Sequence, residues 1–175
     1  METLLIVVDM QKDFVDGALG TNEAVSIVPN VVKKITSHSG AIYVTLDTHS
    51  EEYLTTEEGK HLPVEHCIKG TDGWRLDASV QNSLNGKSYE TIEKPTFGSV
   101  RLAERLKEQY GESLPPTELI GLCTDICVVS NALLLKATFP EASISVDSSC
   151  CAGGTPDTHK AALQTMRMCQ IEIRE

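Results

Sequence analysis

The sequence has no basic patch. It sets 15 Lys and Arg against 25 Asp and Glu, a formal charge of -10, and such a surface repels phosphate backbones and anionic lipid. Nucleic acid and membrane surfaces are therefore not expected partners. No apolar run is long enough to span a bilayer. The opening, Met1 to Met10, is interrupted by Glu2 and Asp9 and has no basic n-region, so neither a signal peptide nor a membrane anchor is expected. Internal repeats and low-complexity linkers are missing too, and a charged fraction of 23% excludes global disorder. What remains is a chain of 175 residues, 41% of them hydrophobic, sized for one domain over residues 1–175 with a single sizeable core. Cys67, Cys123, Cys127, Cys150, Cys151 and Cys169, without an export signal, read as free thiols in a reducing cytoplasm. The sequence leaves homo-oligomerisation open.

Continuous apolar, β-branched runs mark buried parallel strands. They are Leu4 to Val8 closing on Asp9, Ala41 to Leu46 closing on Asp47, Glu118 to Leu122 closing on Cys123, Ala142 to Asp147, and Cys169 to Ile173. Tyr89 to Glu93, closing on Lys94, alternates polar and apolar residues. Helix-length segments with apolar residues three and four apart lie between them: Val25 to Ile35, Val100 to Leu106, Val128 to Ala137 and Ala162 to Met166. Thr155-Pro156-Asp157 starts the last helix, with Thr155 as N-cap and proline at the first helical position. Parallel strands need helical crossovers, so the pattern predicts a three-layer α/β fold, a mainly parallel sheet with helices on both faces. His49 to about Asn85 reads as one long irregular loop, of the kind that carries binding or catalysis.

Ligands of open parallel sheets bind beyond the carboxyl ends of the strands. The strands deliver Asp9, then Asp47 and His49, then Lys94, then Cys127 to that edge. With Thr124 as N-cap, Cys127 falls in the first turn of a helix, where free N–H groups and the helix dipole favour a thiolate. A nearby Lys94 would lower the thiol pKa further, and Asp9 could accept and return its proton. Asp47 and His49 point to one side of an extended segment. With His66 and either Glu58 or Glu57 they suit Zn, Fe or Mn in a mixed nitrogen and oxygen site with positions left open. His159, Trp74 and the Lys33-Lys34 pair read as structural or solvated.

These motifs resemble a known family. Asp9 in Val-Val-Asp-Met-Gln-Lys-Asp-Phe, Lys94 in Glu-Lys-Pro, and Cys127 in Gly-Leu-Cys-Thr-Asp-Ile-Cys-Val are similar to the Asp, Lys, Cys triad of the isochorismatase-like cysteine hydrolases. Asp47-Thr48-His49 and His66-Cys67 resemble the metal motif of the nicotinamidase and pyrazinamidase branch. The resemblance runs in order along essentially the whole chain. It implies the isochorismatase-like fold and hydrolysis of a small amide, nicotinamide to nicotinate and ammonia, with a place in NAD salvage. It further implies that Cys127 attacks the carboxamide, Asp9 shuttles the proton, and Lys94 holds the two in register. The backbone N–H groups of Cys123 and Cys127 would form the oxyanion hole, with a cis peptide at Leu122-Cys123. A divalent transition metal on Asp47, His49, Glu58 and His66 would hold the pyridine nitrogen. Phe14 matches one aromatic wall of the substrate pocket, whereas Leu62 stands where the branch commonly has the other.

Two other readings stand beside this one. The same nucleophile could act on a different carboxamide, a carbamoyl compound or a vinyl ether. Alternatively, Cys123, Cys127, Cys150 and Cys151 could bind a structural zinc in a noncatalytic protein, although Cys-x3-Cys with an adjacent pair is loose spacing for such a site.

Overall fold

The computed structural model describes residues 3–175; Met1 and Glu2, the start of the apolar opening, lie outside the described residues. In chain order the elements are β1 (Leu4–Val8), α1 (Lys12–Val15), α2 (Asn22–Ser37), β2 (Ile42–Asp47), a 3-10 turn (Tyr53–Thr55), α3 (Glu57–His61), α4 (Ala78–Ser83), β3 (Tyr89–Lys94), α5 (Val100–Tyr110), β4 (Thr117–Leu122), a π-helical turn (Thr124–Val128), α6 (Val129–Thr138), β5 (Ile144–Ala152), α7 (Pro156–Met168) and β6 (Glu172–Arg174).

The six strands form one sheet in the order β3-β2-β1-β4-β5-β6, and every pairing is parallel. Strand order reverses between β1 and β4, which opens a crevice at their carboxyl ends. Strand residues alternate between two apolar layers. Leu4, Ile6 and Val8 pack with Leu102 and Leu106 of α5, Leu135 of α6 and Leu163 and Met166 of α7. Leu5 and Val7 face the other way, onto Ile27, Val31 and Ile35 of α2 and Val80 of α4. Helices therefore cover both faces, as a sheet with apolar residues on both sides requires.

Several boundaries differ from the sequence expectation. The segment His49 to Asn85 is not uniformly irregular: it holds the 3-10 turn, α3 and α4, the last two started by the Thr56 and Asp77 side chains accepting backbone N–H groups. β5 continues through Ser148 and Ser149 to Ala152, because the strand bulges against β4 between Leu119 and Gly121 and then pairs again at Cys151 and Ala152. β6 is only Glu172–Arg174; Cys169 instead caps α7, its N–H bonded to the Thr165 and Met166 carbonyls. Thr155 and Pro156 open α7 as expected, with a reciprocal Thr155–Thr158 capping box.

Candidate active site

Four strand ends meet at the reversal point. Asp9, just past β1, is fully buried and has a positive φ of 46°, a conformation uncommon for non-glycine residues but one that aspartate adopts more readily than most. Its Oδ1 accepts from Thr45 Oγ1 at 2.6 Å, and its Oδ2 lies 2.7 Å from Lys94 Nζ. Oδ2 receives no aligned hydrogen bond, so a lone pair stays available for a proton. Lys94 ends β3 opposite Asp47. Its Nζ donates to the Thr96 carbonyl at 3.0 Å and lies 3.4 Å from both Asp47 Oδ1 and Cys127 Sγ.

Cys127 follows β4 but not in the way expected. Cys123, not Thr124, is the N-terminal flanking residue and provides no side-chain cap. Thr124 is fully buried, and its hydroxyl pairs with His159 Nδ1 at 2.8 Å. The turn is π-helical: the Cys123 carbonyl accepts from the Ile126 N–H at 3.1 Å and the Val128 N–H at 3.0 Å, passing over Cys127. The Leu122–Cys123 peptide is cis. Asn131, fully buried on α6, donates to the Cys127 carbonyl at 2.8 Å and the Phe97 carbonyl at 3.1 Å, and accepts from the Ser99 N–H at 2.9 Å.

The electrostatics correct a second expectation. Burial raises the Cys127 pKa well above its ordinary value, the Asp9 charge adds to the rise, and Lys94 only partly offsets them. Cys127 therefore rests as a thiol and needs a base. Burial also raises the Asp9 pKa, against the pull of Lys94, which leaves the carboxylate more basic than an exposed one. For Lys94, burial opposes the charge, but attraction to Asp9, Cys127 and Asp47 outweighs it and keeps the ammonium protonated.

A second cluster adjoins the first. His49 Nε2 lies 3.0 Å from Asp47 Oδ2 and 3.6 Å from Glu58 Oε1; His66 Nε2 is 3.6 Å from each of the same two oxygens. Four donor atoms at about 2.0–2.2 Å from one ion would stand about 3–3.5 Å apart; these four separations are close to that, and all four donor atoms lie within 4.8 Å of one another, a group that a transition metal would draw together. His66 Nδ1 bonds the Val64 carbonyl at 2.8 Å, which as an acceptor requires the proton there and turns the Nε2 lone pair to the cluster. Glu58 joins this group, whereas Glu57 points outward to Lys60. The cysteines make no such group: among the described residues only Asp47, His49, Glu58 and His66 converge in metal-ligand geometry, so the structural-zinc alternative lacks a site. Burial works against the Asp47 charge, but the hydrogen bond with His49, the adjacent His66 ring and the Lys94 charge hold its pKa below the ordinary value. Desolvation raises Glu58, as expected of a carboxylate with no cation of its own.

Supporting residues went unassigned in the sequence. The Gln11 amide brackets Asp47, accepting from its N–H at 2.7 Å and donating to its carbonyl at 2.8 Å. Tyr53 is fully buried, with its ring 4.7 Å from that of His49 and 4.9 Å from that of His66. Trp74 Nε1 donates to Thr48 Oγ1 at 2.9 Å, pinning the residue between two of the cluster's members. Gln11 stood inside a motif already singled out; Tyr53 and Trp74 carried no local signal.

Both clusters open on one cavity of about 590 Å³. Cys127, Cys123, Asp47, Glu58 and His66 reach it from the floor, and Phe14, Leu19, Leu62, Phe97 and Ile126 form apolar walls. Leu62 lines it as expected, and Phe97 supplies an aromatic surface that Leu62 does not. A doubly wound parallel sheet with a buried thiol, ammonium and carboxylate at its crevice defines a class: α/β proteins equipped for covalent catalysis by cysteine.

The chain belongs to the isochorismatase family, whose domain matches residues 3–174. It is 29% identical over 147 residues to the isochorismatase family protein PncA of Bacillus subtilis (strain 168), covering 76% of this chain and 78% of that protein. Its structure is similar to that of a pyrazinamidase/nicotinamidase of Streptococcus mutans UA159, with a TM-score of 0.83, 27% identity and coverage of 98% and 99% of the two chains. The pyrazinamidase of Pyrococcus horikoshii in complex with zinc gives 0.82, 25%, and 100% and 99%. No helix of the described residues is long and apolar enough to cross a membrane.

Proposed function

We propose that the protein is a metal-dependent cysteine amidohydrolase that converts nicotinamide to nicotinate and ammonia. The observation that carries this reading is that Cys127, backed by the buried Lys94 and Asp9, lines the same cavity as Asp47, Glu58 and His66 of the four-residue cluster. The likeness to the S. mutans pyrazinamidase/nicotinamidase and the zinc-complexed P. horikoshii pyrazinamidase supports both the substrate and the metal.

Asp9 takes the Cys127 thiol proton through its free Oδ2 lone pair, and the sulfur attacks the carboxamide carbon. A thiol held protonated by burial becomes nucleophilic only as this transfer proceeds, so the base and nucleophile act as one unit. Backbone N–H groups of Cys123 and Cys127 receive the developing oxyanion. Asp9 passes the proton to the departing nitrogen, ammonia leaves, and a thioester remains. Water, giving up its proton to Asp9, cleaves the thioester to nicotinate; the proton returns to sulfur. Lys94 keeps Asp9 ionised between steps and fixes its distance from sulfur. Phe14 and Phe97 pack on the ring, and Leu62 narrows the pocket. A divalent transition metal, zinc being the first candidate, supplies a Lewis acid for the ring nitrogen when bound to Asp47, His49, Glu58 and His66. Six free cysteines suit a reducing cytoplasm, where the product nicotinate enters NAD salvage.

The test compares kcat/KM for nicotinamide and benzamide, which share shape and carboxamide but differ in the ring nitrogen. Nicotinamide should be turned over at least about a hundredfold faster, as expected when a site built to engage a polar atom meets an analogue without it. Parity, or silence on nicotinamide beside turnover of an aliphatic amide, overturns the reading.

A further inference from the structure

We propose that His159 is a positioning residue for the cysteine turn: through Thr124 it holds the π-helical segment in the shape that presents Cys127 to the cavity. The inference rests on the reading of Cys127 as nucleophile. His159 itself lines a different cavity, of about 210 Å³ beside Pro156 and Ile27, and not the one that Cys127 faces. It therefore acts through another residue and not on the substrate.

A π turn is a rare, locally disfavoured conformation, found mostly at functional sites and kept there by outside contacts. Two braces come from one short segment at the start of α7. His159 Nδ1 meets Thr124 Oγ1 at 2.8 Å, at the first residue of the turn. One step on, the Asp125 carboxylate accepts the Gly154 N–H at 3.1 Å. Thr124 has no access to solvent, so without His159 its hydroxyl would be a buried polar group with no partner.

The segment has little freedom to yield. Gly153 lies so close to His159 that an added Cβ would stand 3.0 Å from its backbone N and Cα and its Cβ, tighter than most Cβ contacts in proteins. Burial lowers the His159 pKa, with Asp125 and Lys160 as the charges that act on it. The ring is then neutral, and a Thr124 hydroxyl donating to Nδ1 satisfies both partners.

The test uses the full chain with metal bound and compares His159→Leu, His159→Asn, Thr124→Val and the His159→Leu/Thr124→Val double variant. An asparagine side chain can place a polar atom where Nδ1 stands; leucine cannot. Readouts are kcat and KM for nicotinamide, melting temperature, and the rate at which iodoacetamide alkylates Cys127, followed by peptide mass spectrometry. His159→Leu should lose kcat by about tenfold or more, as a misplaced nucleophile would, with KM within about twofold, and should change the Cys127 alkylation rate. His159→Asn should recover most of both. The double variant should be no worse than the poorer single, because both changes break one contact.

Wild-type kcat and alkylation in folded His159→Leu overturn the proposal, as does an asparagine variant no better than leucine or a double variant whose losses multiply. Should His159→Leu fail to fold, Thr124→Val carries the test alone: wild-type kcat and alkylation there refute it. If wild type does not hydrolyse nicotinamide, the substrate reading falls, while the alkylation rates still decide the role of His159.

Discussion

Asn131→Leu removes three hydrogen bonds while keeping the branched shape and heavy-atom count of the side chain. The Asn131 amide is the partner of the Ser99 N–H and also bonds the carbonyls of Phe97 and Cys127. Leucine leaves the Ser99 N–H unpaired in a buried place, at about 1–3 kcal/mol, and takes one bond from each carbonyl, at about 0.5–1.5 kcal/mol apiece. The expected loss is about 2–6 kcal/mol, a large share of the roughly 5–15 kcal/mol by which a domain is stable. For a chain of this length, 3 kcal/mol corresponds to a fall in Tm of roughly 6–12 °C. Activity should fall too, since the bonds tie the Cys127 turn to the segment that carries Phe97 and follows Lys94. Urea unfolding of wild type and variant, with metal content matched, measures the first quantity, and kcat on nicotinamide the second. A stability loss under about 1 kcal/mol with unchanged kcat would show that water or local movement replaces the amide, and would refute the bracing role assigned to it.

Cys127→Ala should reduce turnover to background while Cys123→Ala keeps much of it, because the proposed mechanism uses only the backbone of Cys123; equal activity of Cys127→Ala and wild type would remove the thioester route. His66→Ala should lose the roughly one equivalent of transition metal expected in purified protein, measured by elemental analysis, with activity lost in parallel. Lys34 lies 2.6 Å from Asp147 and 3.0 Å from Glu118, whose carboxylates are mostly buried, so Lys34→Met should cost about 1–2 kcal/mol at pH 7, less than a fully buried pair because Lys34 is partly exposed. Burial opposes both charges, but their mutual hydrogen bonds win, lowering the Asp147 pKa below 3.8 and raising that of Lys34 above 10.5. The pair's contribution is therefore full between those values, lost as pH falls through the folded pKa of Asp147 and lost as pH rises through that of Lys34. The Tm difference between wild type and Lys34→Met should shrink as pH falls below 3.8, and a constant difference would contradict the linkage.

Much of the site was legible because its chemistry sits at strand ends. A run such as Leu4 to Val8 announces a buried strand, and a carboxylate placed immediately after it must lie at the sheet's carboxyl edge. Asp9, Asp47, Lys94 and Cys127 are thus gathered at one edge by the sequence pattern alone. The choice between Glu57 and Glu58 could not be made that way: on the short α3 adjacent residues point in different directions, and only the placement of that helix turns Glu58 toward His49 and His66. Asn131 gave no signal, and His159 was read only as structural or solvated, for a related reason. Each acts on a backbone or side chain 4 to 35 residues away, through contacts that no local pattern encodes.

The sequence by itself determined the alternation of strands and helices, the parallel sheet and the capping of α7, and it named the candidate nucleophile, proton carrier and metal ligands. Hydrophobic periodicity and residue chemistry are local properties, and they suffice for these. The protonation of Cys127 was decided by tertiary structure alone. Its place after a strand suggested a helix start that stabilises a thiolate, but the chain makes a π turn, buries the sulfur and sets Asp9 beside it. Desolvation and the field of neighbouring charges depend on what surrounds a group in three dimensions. The same residue type at the same position in the chain can therefore rest as a thiolate or, as here, as a thiol.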